Sequence, residues 1–329
     1  MRWQLRAGLL AAALGTALAG AASATESWDM PTPYPENNFH TRNIEEFARQ
    51  VRATTGGSMS DTIEITVHPN QSLVKHGEIK NAVRSGQVQL GEFLLSTLSN
   101  ENAIFGVDSV PFLATGYDAS WKLWQASKPK VEALLAEQGL VVLFAVAWPP
   151  QGIYTNKEIT KVEDLAGLKF RTYNAATERL AQLAGAVPTQ IEASDIAQAF
   201  ATGRVEAMVT SSSTGANSKA WDFLKYYYDT QAWLPKNIVV INKEVFDALE
   251  PAKRESILAA AKQAEERGWK MSQEENGAQK KALSDNGMQV VTPSEALQSG
   301  LKAIGETMTA EWTSQAGADG QAILVAFKM

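Results

Sequence analysis

The chain contains no cysteine. That single absence removes disulfide frameworks, thiolate nucleophiles, iron–sulfur clusters and cysteine-ligated zinc together. Histidine is nearly as scarce. His40, His68 and His76 are the only three, and His76 with Glu78 lacks the second imidazole that a helical zinc motif places on the same face. Little material remains for metal or general-base chemistry, so neither a metal nor a cofactor is expected. Positive charge is not in excess either. With 30 Lys+Arg against 36 Asp+Glu and a net charge of −6, the chain lacks the basic surplus that displaces counterions from a phosphate backbone, which argues against a nucleic-acid partner. Also missing are the Gly-x-Ser-x-Gly elbow, the phosphate-cradling Walker loop and the Gly-x-Gly-x-x-Gly fingerprint. Glu45 and Glu46 are adjacent in a helical pattern and therefore point in different directions, so they do not form an acid–base pair. These absences weigh against an exported α/β hydrolase or a similar enzyme, the main alternative to a binding protein.

What is present is an ordinary water-compatible composition, 45% hydrophobic and 20% charged over 329 residues, a length that points to two domains. The start differs from the rest. Arg2 and Arg6 form a positive region, Ala7 to Leu18 is apolar, and Ala22-Ser23-Ala24 is a small-x-small cleavage signal, so residues 1–24 read as a secretory signal peptide with the mature protein beginning near Thr25. A membrane anchor is the competing reading, but the apolar run is short of the ~20 residues a span requires and rich in Ala and Gly. An exported chain without cysteine fits a bacterial periplasm.

Beyond a Pro-rich opening from Trp28 to Pro35, helical and strand patterns alternate. Asn37 to Ala53 reads as a helix, Ile63 to Val67 as a half-buried strand, Leu73 to Ser85 as a helix and Val88 to Leu90 as a strand turning at Gly91. A long helical pattern from Tyr117 to Gln138 is interrupted by Pro129. Leu140 to Trp148 is a continuous apolar run, predicting a strand covered on both faces within a parallel sheet, and Pro149-Pro150 ends it. A second unit follows: strand Leu168–Tyr173, helix Ala175–Ala184, helix Ser194–Thr202 capped by Ser194, strand Val205–Thr210, a loop Ser211–Gly215, helix Ala216–Tyr227 and strand Asn237–Asn242. Pro251 then opens a long helix. The alternation predicts two α/β domains, with ligands held beyond the carboxyl ends of the strands.

Residues 28 to 280 resemble the DctP family, the solute-binding proteins of tripartite ATP-independent periplasmic (TRAP) transporters. The markers are Thr55-Gly56-Gly57, Gly86-Gln87-Val88-Gln89-Leu90-Gly91, Val110-Pro111-Phe112-Leu113, Tyr154-Thr155-Asn156-Lys157-Glu158-Ile159, Asp164-Leu165-Ala166-Gly167-Leu168-Lys169-Phe170-Arg171, Thr202-Gly203-Arg204-Val205-Glu206-Ala207 and Asn242-Lys243-Glu244-Val245-Phe246. Each is weak alone; their order and spacing carry the likeness. The resemblance implies a two-lobed α/β periplasmic binding protein with an interlobe ligand cleft and a long lobe-spanning helix. Lobe one would be 25–148 plus 237–276, and lobe two 149–236 plus 277–329. It also implies a monomer that captures a small organic acid and delivers it to TRAP integral membrane components. Service to a sensor or an ABC importer is the alternative use of the same fold.

Carried over by position, Arg171 matches the arginine that receives the ligand carboxylate, a role suited to a planar guanidinium with two parallel donors. Many relatives carry a second arginine twenty positions earlier, where this chain has Gln151, an uncharged hydrogen-bonding residue. The pocket is therefore expected to take one carboxylate rather than two, unless Arg179 or Lys157 reaches in. Thr210, with Ser211, stands where relatives place a polar pocket residue, and Asn174 lies beyond the Arg171 strand. Glu92 could steady the arginine or accept from the ligand. Trp148, Phe93 and Trp233 are candidate apolar walls. Together these predict a small monocarboxylate, with aromatic and 2-oxo or 2-hydroxy acids among the candidates.

Overall fold

A computed structural model describes residues 25–55 and 62–329. The expected signal segment, its cleavage point after Ala24 and the Gly56-Gly57 pair of the first family marker lie outside the described residues. Among the described residues the strands are β1 (Thr25–Pro31), β2 (Thr62–His68), β3 (Leu90–Leu94), β4 (Leu140–Ala147), β5 (Gln151–Thr155), β6 (Lys169–Thr172), β7 (Val187–Gln190), β8 (Ala207–Ser211), β9 (Tyr226–Tyr228), β10 (Lys236–Asn242) and β11 (Gln289–Val291). The helices are α1 (Phe39–Thr55), α2 (Ile79–Arg84), α3 (Gly116–Ala136), α4 (Ala175–Leu183), α5 (Ile196–Ala201), α6 (Ser212–Asn217), α7 (Lys243–Ala248), α8 (Pro251–Asp285) and α9 (Glu295–Lys328).

Two sheet systems result, one for each lobe. In the first, β1 and β2 form a parallel pair beside a three-stranded sheet ordered β3-β10-β4. The second has six strands in the order β11-β9-β5-β8-β6-β7. The apolar run of β4 is buried as its composition requires, but it pairs antiparallel with β10, so the expected parallel sheet is corrected here. Long helices α3 and α8 cover β4 instead, and full burial follows from that cover rather than from strand direction. β4 is also an edge strand, and α8 finishes its backbone: Ala145 N–H donates to Glu265 Oε1 at 3.1 Å, and Trp269 Nε1 donates to Ala145 O at 3.0 Å. Both contacts sit near the register shift between Val239 and Val240, and they satisfy the backbone N–H and C=O of Ala145 on that edge.

The close fit of α8 rests on small residues. A Cβ on Gly268 would lie 2.4 Å from Val146 Cγ2 and 2.7 Å from Asn43 Nδ2, and Ala260, Ala261 and Ala264 are buried on the same helix. Further along, α8 packs against α6 and β11, so it spans both lobes. The chain crosses between lobes at Pro149-Pro150, which links β4 to β5, and again at Pro235, which leads into β10.

Several local expectations are corrected. β3 runs from Leu90 to Leu94, so Gly91 lies inside a strand, where a Cβ would meet Ile79 Cγ2 at 2.5 Å. α3 continues through Pro129. The expected loop Ser211–Gly215 begins α6, with Ser211 as its N-cap accepting from Thr214 N at 3.1 Å. The predicted helix Ala216–Tyr227 stops early, and its end, Tyr226–Tyr228, forms β9, as consecutive aromatic residues favour. α5 has Asp195 rather than Ser194 at its cap.

Candidate functional site

β6 and β8 are parallel neighbours, so their carboxyl ends open on one edge of the second sheet, the edge where open α/β sheets hold ligands. Arg171 lies near the end of β6 and Thr210 near the end of β8. Gln151, at the start of antiparallel β5, stands opposite Ser211 in register. These side chains line a cavity of about 40 Å³ whose first-lobe side is formed by Pro33, Tyr34, His76, Leu94 and Trp148. A single water needs about 10–15 Å³ of such a cavity, so the space suits a small ligand. It shares Pro33, Tyr34, Trp148, Ala193 and Thr214 with an outer vestibule of about 280 Å³.

Arg171 is 3% exposed. Its Nε donates to Ile191 O at 2.9 Å, and its guanidinium lies 4.9 Å from the centre of the Tyr173 ring. Neither terminal nitrogen has a partner, and the residue makes no ion pair among the described residues. Burial pushes its pKa down to about 10, partly offset by Tyr173, Glu192 and Tyr34, so it stays charged at neutral pH. A buried, charged fork that faces a cavity without a directly paired counter-ion is costly unless an anion joins it. The Thr210 hydroxyl beside it likewise has no partner among the described residues.

The other polar wall groups are already engaged. Tyr173 OH donates to Gln151 Oε1 at 2.9 Å, and Gln151 Nε2 donates to Pro149 O at 3.0 Å. Tyr34 OH and Trp148 Nε1 both donate to Asn237 Oδ1, at 3.0 and 2.8 Å. That shared acceptor fixes the two rings edge to face, 4.8 Å apart, as rigid walls.

Contacts also bridge the lobes. His76 Nδ1 lies 2.9 Å from Glu192 Oε2, Gln71 Nε2 donates to Ser194 Oγ at 3.0 Å, Asn38 Nδ2 to Asn217 Oδ1 at 2.8 Å, and Asn174 Nδ2 to Ser96 Oγ at 2.8 Å. Desolvation raises the Glu192 carboxyl, but the His76 hydrogen bond and the Arg171 charge outweigh it and hold it below its usual range.

Of the residues expected at the site, Arg171, Gln151, Trp148, Thr210 and Ser211 line one cavity. Glu92, Phe93, Asn174 and Trp233 do not. Because β3 extends past Gly91, Glu92 turns into the first lobe, where it accepts from the Thr32 hydroxyl at 2.6 Å and faces His40 Nδ1 at 3.3 Å. Phe93, on the opposite face of the strand, enters the core. Asn174 caps α4, accepting from Thr177 N at 2.9 Å. Trp233 is buried in the crossing segment, and its carbonyl receives the Gln151 N–H at 2.9 Å. Arg179 is held bidentately by Glu311, and neither it nor Lys157 lines the cavity.

Tyr34, His76, Tyr173 and Glu192 also line the cavity, and the sequence reading singles out none of them for it. Tyr173 carries a signal, since it follows Arg171 by two residues and strand alternation puts both on one face. Glu192 carries none, because β7 is four residues long, contains Pro188 and exposes Val187.

Among the described residues there is no cluster of three or more His, Asp or Glu side chains able to hold a metal, and no helix long and apolar enough to cross a membrane. Solved structures resemble the chain closely. A Bordetella pertussis extracytoplasmic solute receptor, DctP6, which binds pyroglutamic acid, is 47% identical with a TM-score of 0.89, covering 92% of this chain and 99% of that one. A TRAP solute-binding protein from a marine metagenome, specific for pyroglutamate, is 44% identical with a TM-score of 0.90, covering 93% and 99%. The C4-dicarboxylate-binding periplasmic protein DctP of Rhodobacter capsulatus is 25% identical over 233 residues, 68% of each chain. Residues 32–315 match the family described as bacterial extracellular solute-binding protein, family 7. A two-lobed α/β fold, a long helix joining the lobes and a family match over most of the chain agree, and the chain belongs to the DctP family of bacterial extracellular solute-binding proteins.

Proposed function

We propose that this protein is the periplasmic receptor of a TRAP transporter and that its cleft captures pyroglutamate, or an equally small monocarboxylate, by closing the lobes around it. The observation that carries this reading is the buried, unpaired Arg171 fork. It calls for one carboxylate, and Gln151, joined to Tyr173, offers no charge for a second. The small cavity and the pyroglutamate found in relatives at 47% and 44% identity support a compact cyclic acid. The lobes that move are 25–148 plus 237–276 and 149–236 plus 277–329. Ligand contacts from both lobes favour the closed state by differential affinity, and the closed form, acting as a monomer without catalysis, docks on the integral membrane components.

A thermal-shift panel of organic acids tests this. A ligand bound only by the folded protein stabilises it by about 2.7 kcal/mol at one hundred times its Kd, so pyroglutamate is expected to give the largest rise in unfolding temperature. A larger rise with succinate or a sugar acid, with none from pyroglutamate, would overturn the reading.

A further inference from the structure

The cavity contains a carboxylate as well as a cation. Glu192 lies next to Arg171 in space because the backbone between them is pinned: Ile191 N–H donates to Thr172 O at 3.0 Å, and Arg171 Nε donates to Ile191 O at 2.9 Å. Adjacent opposite charges would ordinarily pair, yet these two form no ion pair among the described residues. His76 accounts for this. Its Nε2 faces the Leu94 N–H at 3.4 Å and acts as the acceptor there, so the proton lies on Nδ1 and is donated to Glu192 Oε2 at 2.9 Å. Glu192 Oε1 has no partner among the described residues, and the residue lines the cavity with its side chain 40% exposed. The charged group facing Glu192 is Arg171, and His76 meets it as a neutral Nδ1–H donor.

We infer that Glu192, oriented by His76 from the opposite lobe, determines specificity: it accepts a hydrogen bond from an N–H or O–H of the ligand and rejects ligands with a second negative charge. This rests on reading the cavity as a site for pyroglutamate-like acids. With one cation and one anion, the site is matched to a ligand with a single carboxylate and a donor a few bonds away, which is the chemistry of a lactam acid. A dicarboxylate would bring a second anion against Glu192, and like charges at short range in a partly desolvated site repel strongly. An analogue lacking the donor would displace water from this carboxylate oxygen without replacing its hydrogen bond, which is the asymmetry that gives polar sites their selectivity.

The test is calorimetric titration of wild type and Glu192→Gln with pyroglutamate, with its lactone analogue, in which ring oxygen replaces N–H, and with glutarate. In the variant, His76 Nδ1–H retains the amide oxygen and the amide NH₂ turns to the cavity, so an acceptor becomes a donor. Wild type is expected to prefer lactam to lactone by about 30-fold or more, a difference of about 2 kcal/mol. In Glu192→Gln that ratio should fall below about 5-fold, while glutarate gains at least about 10-fold relative to pyroglutamate. Ratios are the readout, so a general loosening of the site moves all three ligands together and does not imitate the result. Unchanged ratios in the variant overturn the role of Glu192 and leave the proposed ligand standing. Failure of wild type to bind pyroglutamate overturns the proposed ligand, and this inference with it.

Discussion

Arg171→Met is expected to weaken pyroglutamate binding by about 150- to 5,000-fold without lowering the unfolding temperature of the empty protein. The first half follows from breaking a buried, hydrogen-bonded charge pair, a loss of about 3–5 kcal/mol, which takes a micromolar ligand to near-millimolar or weaker. The second half follows from the absence of a direct ion pair: the nearby Glu192 charge offsets only part of the desolvation. The guanidinium is buried, its pKa is pushed down to about 10 chiefly by desolvation, and its terminal nitrogens have no partner among the described residues. A cation held this way is a cost to the empty fold, kept for binding. Methionine removes the charge and retains an unbranched apolar side chain. Calorimetry and thermal unfolding of the same preparation report both halves. Arg171→Lys keeps the charge but loses the two-pronged geometry, so it should recover affinity only in part. Binding by Arg171→Met within a factor of about three of wild type, or about 0.7 kcal/mol, would rule out the clamp. A marked fall in the unfolding temperature of the empty protein would recast Arg171 as a structural residue.

Asp108→Ala should cause the largest loss of stability of any single change proposed. Asp108 and Lys236 have side chains 1% exposed each, with Lys236 Nζ 3.2 Å from Asp108 Oδ2, and the same oxygen accepts Lys236 N–H at 3.0 Å. Desolvation lowers the Lys236 pKa, while Asp108 works to raise it. Lys236 opens β10, where the chain returns to the first sheet system, so the pair fixes a crossing between lobes. Removing Asp108 strands a buried ammonium, at a cost of about 3–5 kcal/mol. The double change Asp108→Leu with Lys236→Met should recover most of that loss, because a packed apolar pair often replaces a buried ion pair at little cost. Urea titrations measure both. A loss under about 1 kcal/mol in the single variant would contradict this view of the crossing.

Periodicity locates most regular elements of this chain. α1, β2, β4, α4 and β10 each lie within a few residues of the pattern that predicts them, because their apolar spacing is dictated by the core they face. Strand direction is not legible in the same way. The apolar run of β4 is equally consistent with either pairing, and its cover by α3 and α8 is a tertiary fact. Short polar segments mislead for a related reason: Ser211 to Gly215 carries residues that favour loops and helix caps alike, and packing of α6 against α8 decides the outcome. The site divides along the same line. Arg171, Thr210 and Gln151 come from strand ends that motif spacing fixes, whereas His76 and Glu192 meet only when two lobes approach, and no local pattern records a contact between residues 116 positions apart. For Glu92 the difference comes down to one strand boundary. With the strand continuing beyond Gly91, its carboxylate lies within the first lobe, against Thr32 and His40.

A crystal structure of the protein with pyroglutamate measures the central claim directly. The ligand carboxylate is expected on both terminal nitrogens of Arg171 at about 2.7–2.9 Å, the distance of charge-assisted bonds, with residues of both lobes touching the same molecule. A ligand bound outside the cavity, or Arg171 paired with Glu192 while the ligand carboxylate sits elsewhere, would contradict it.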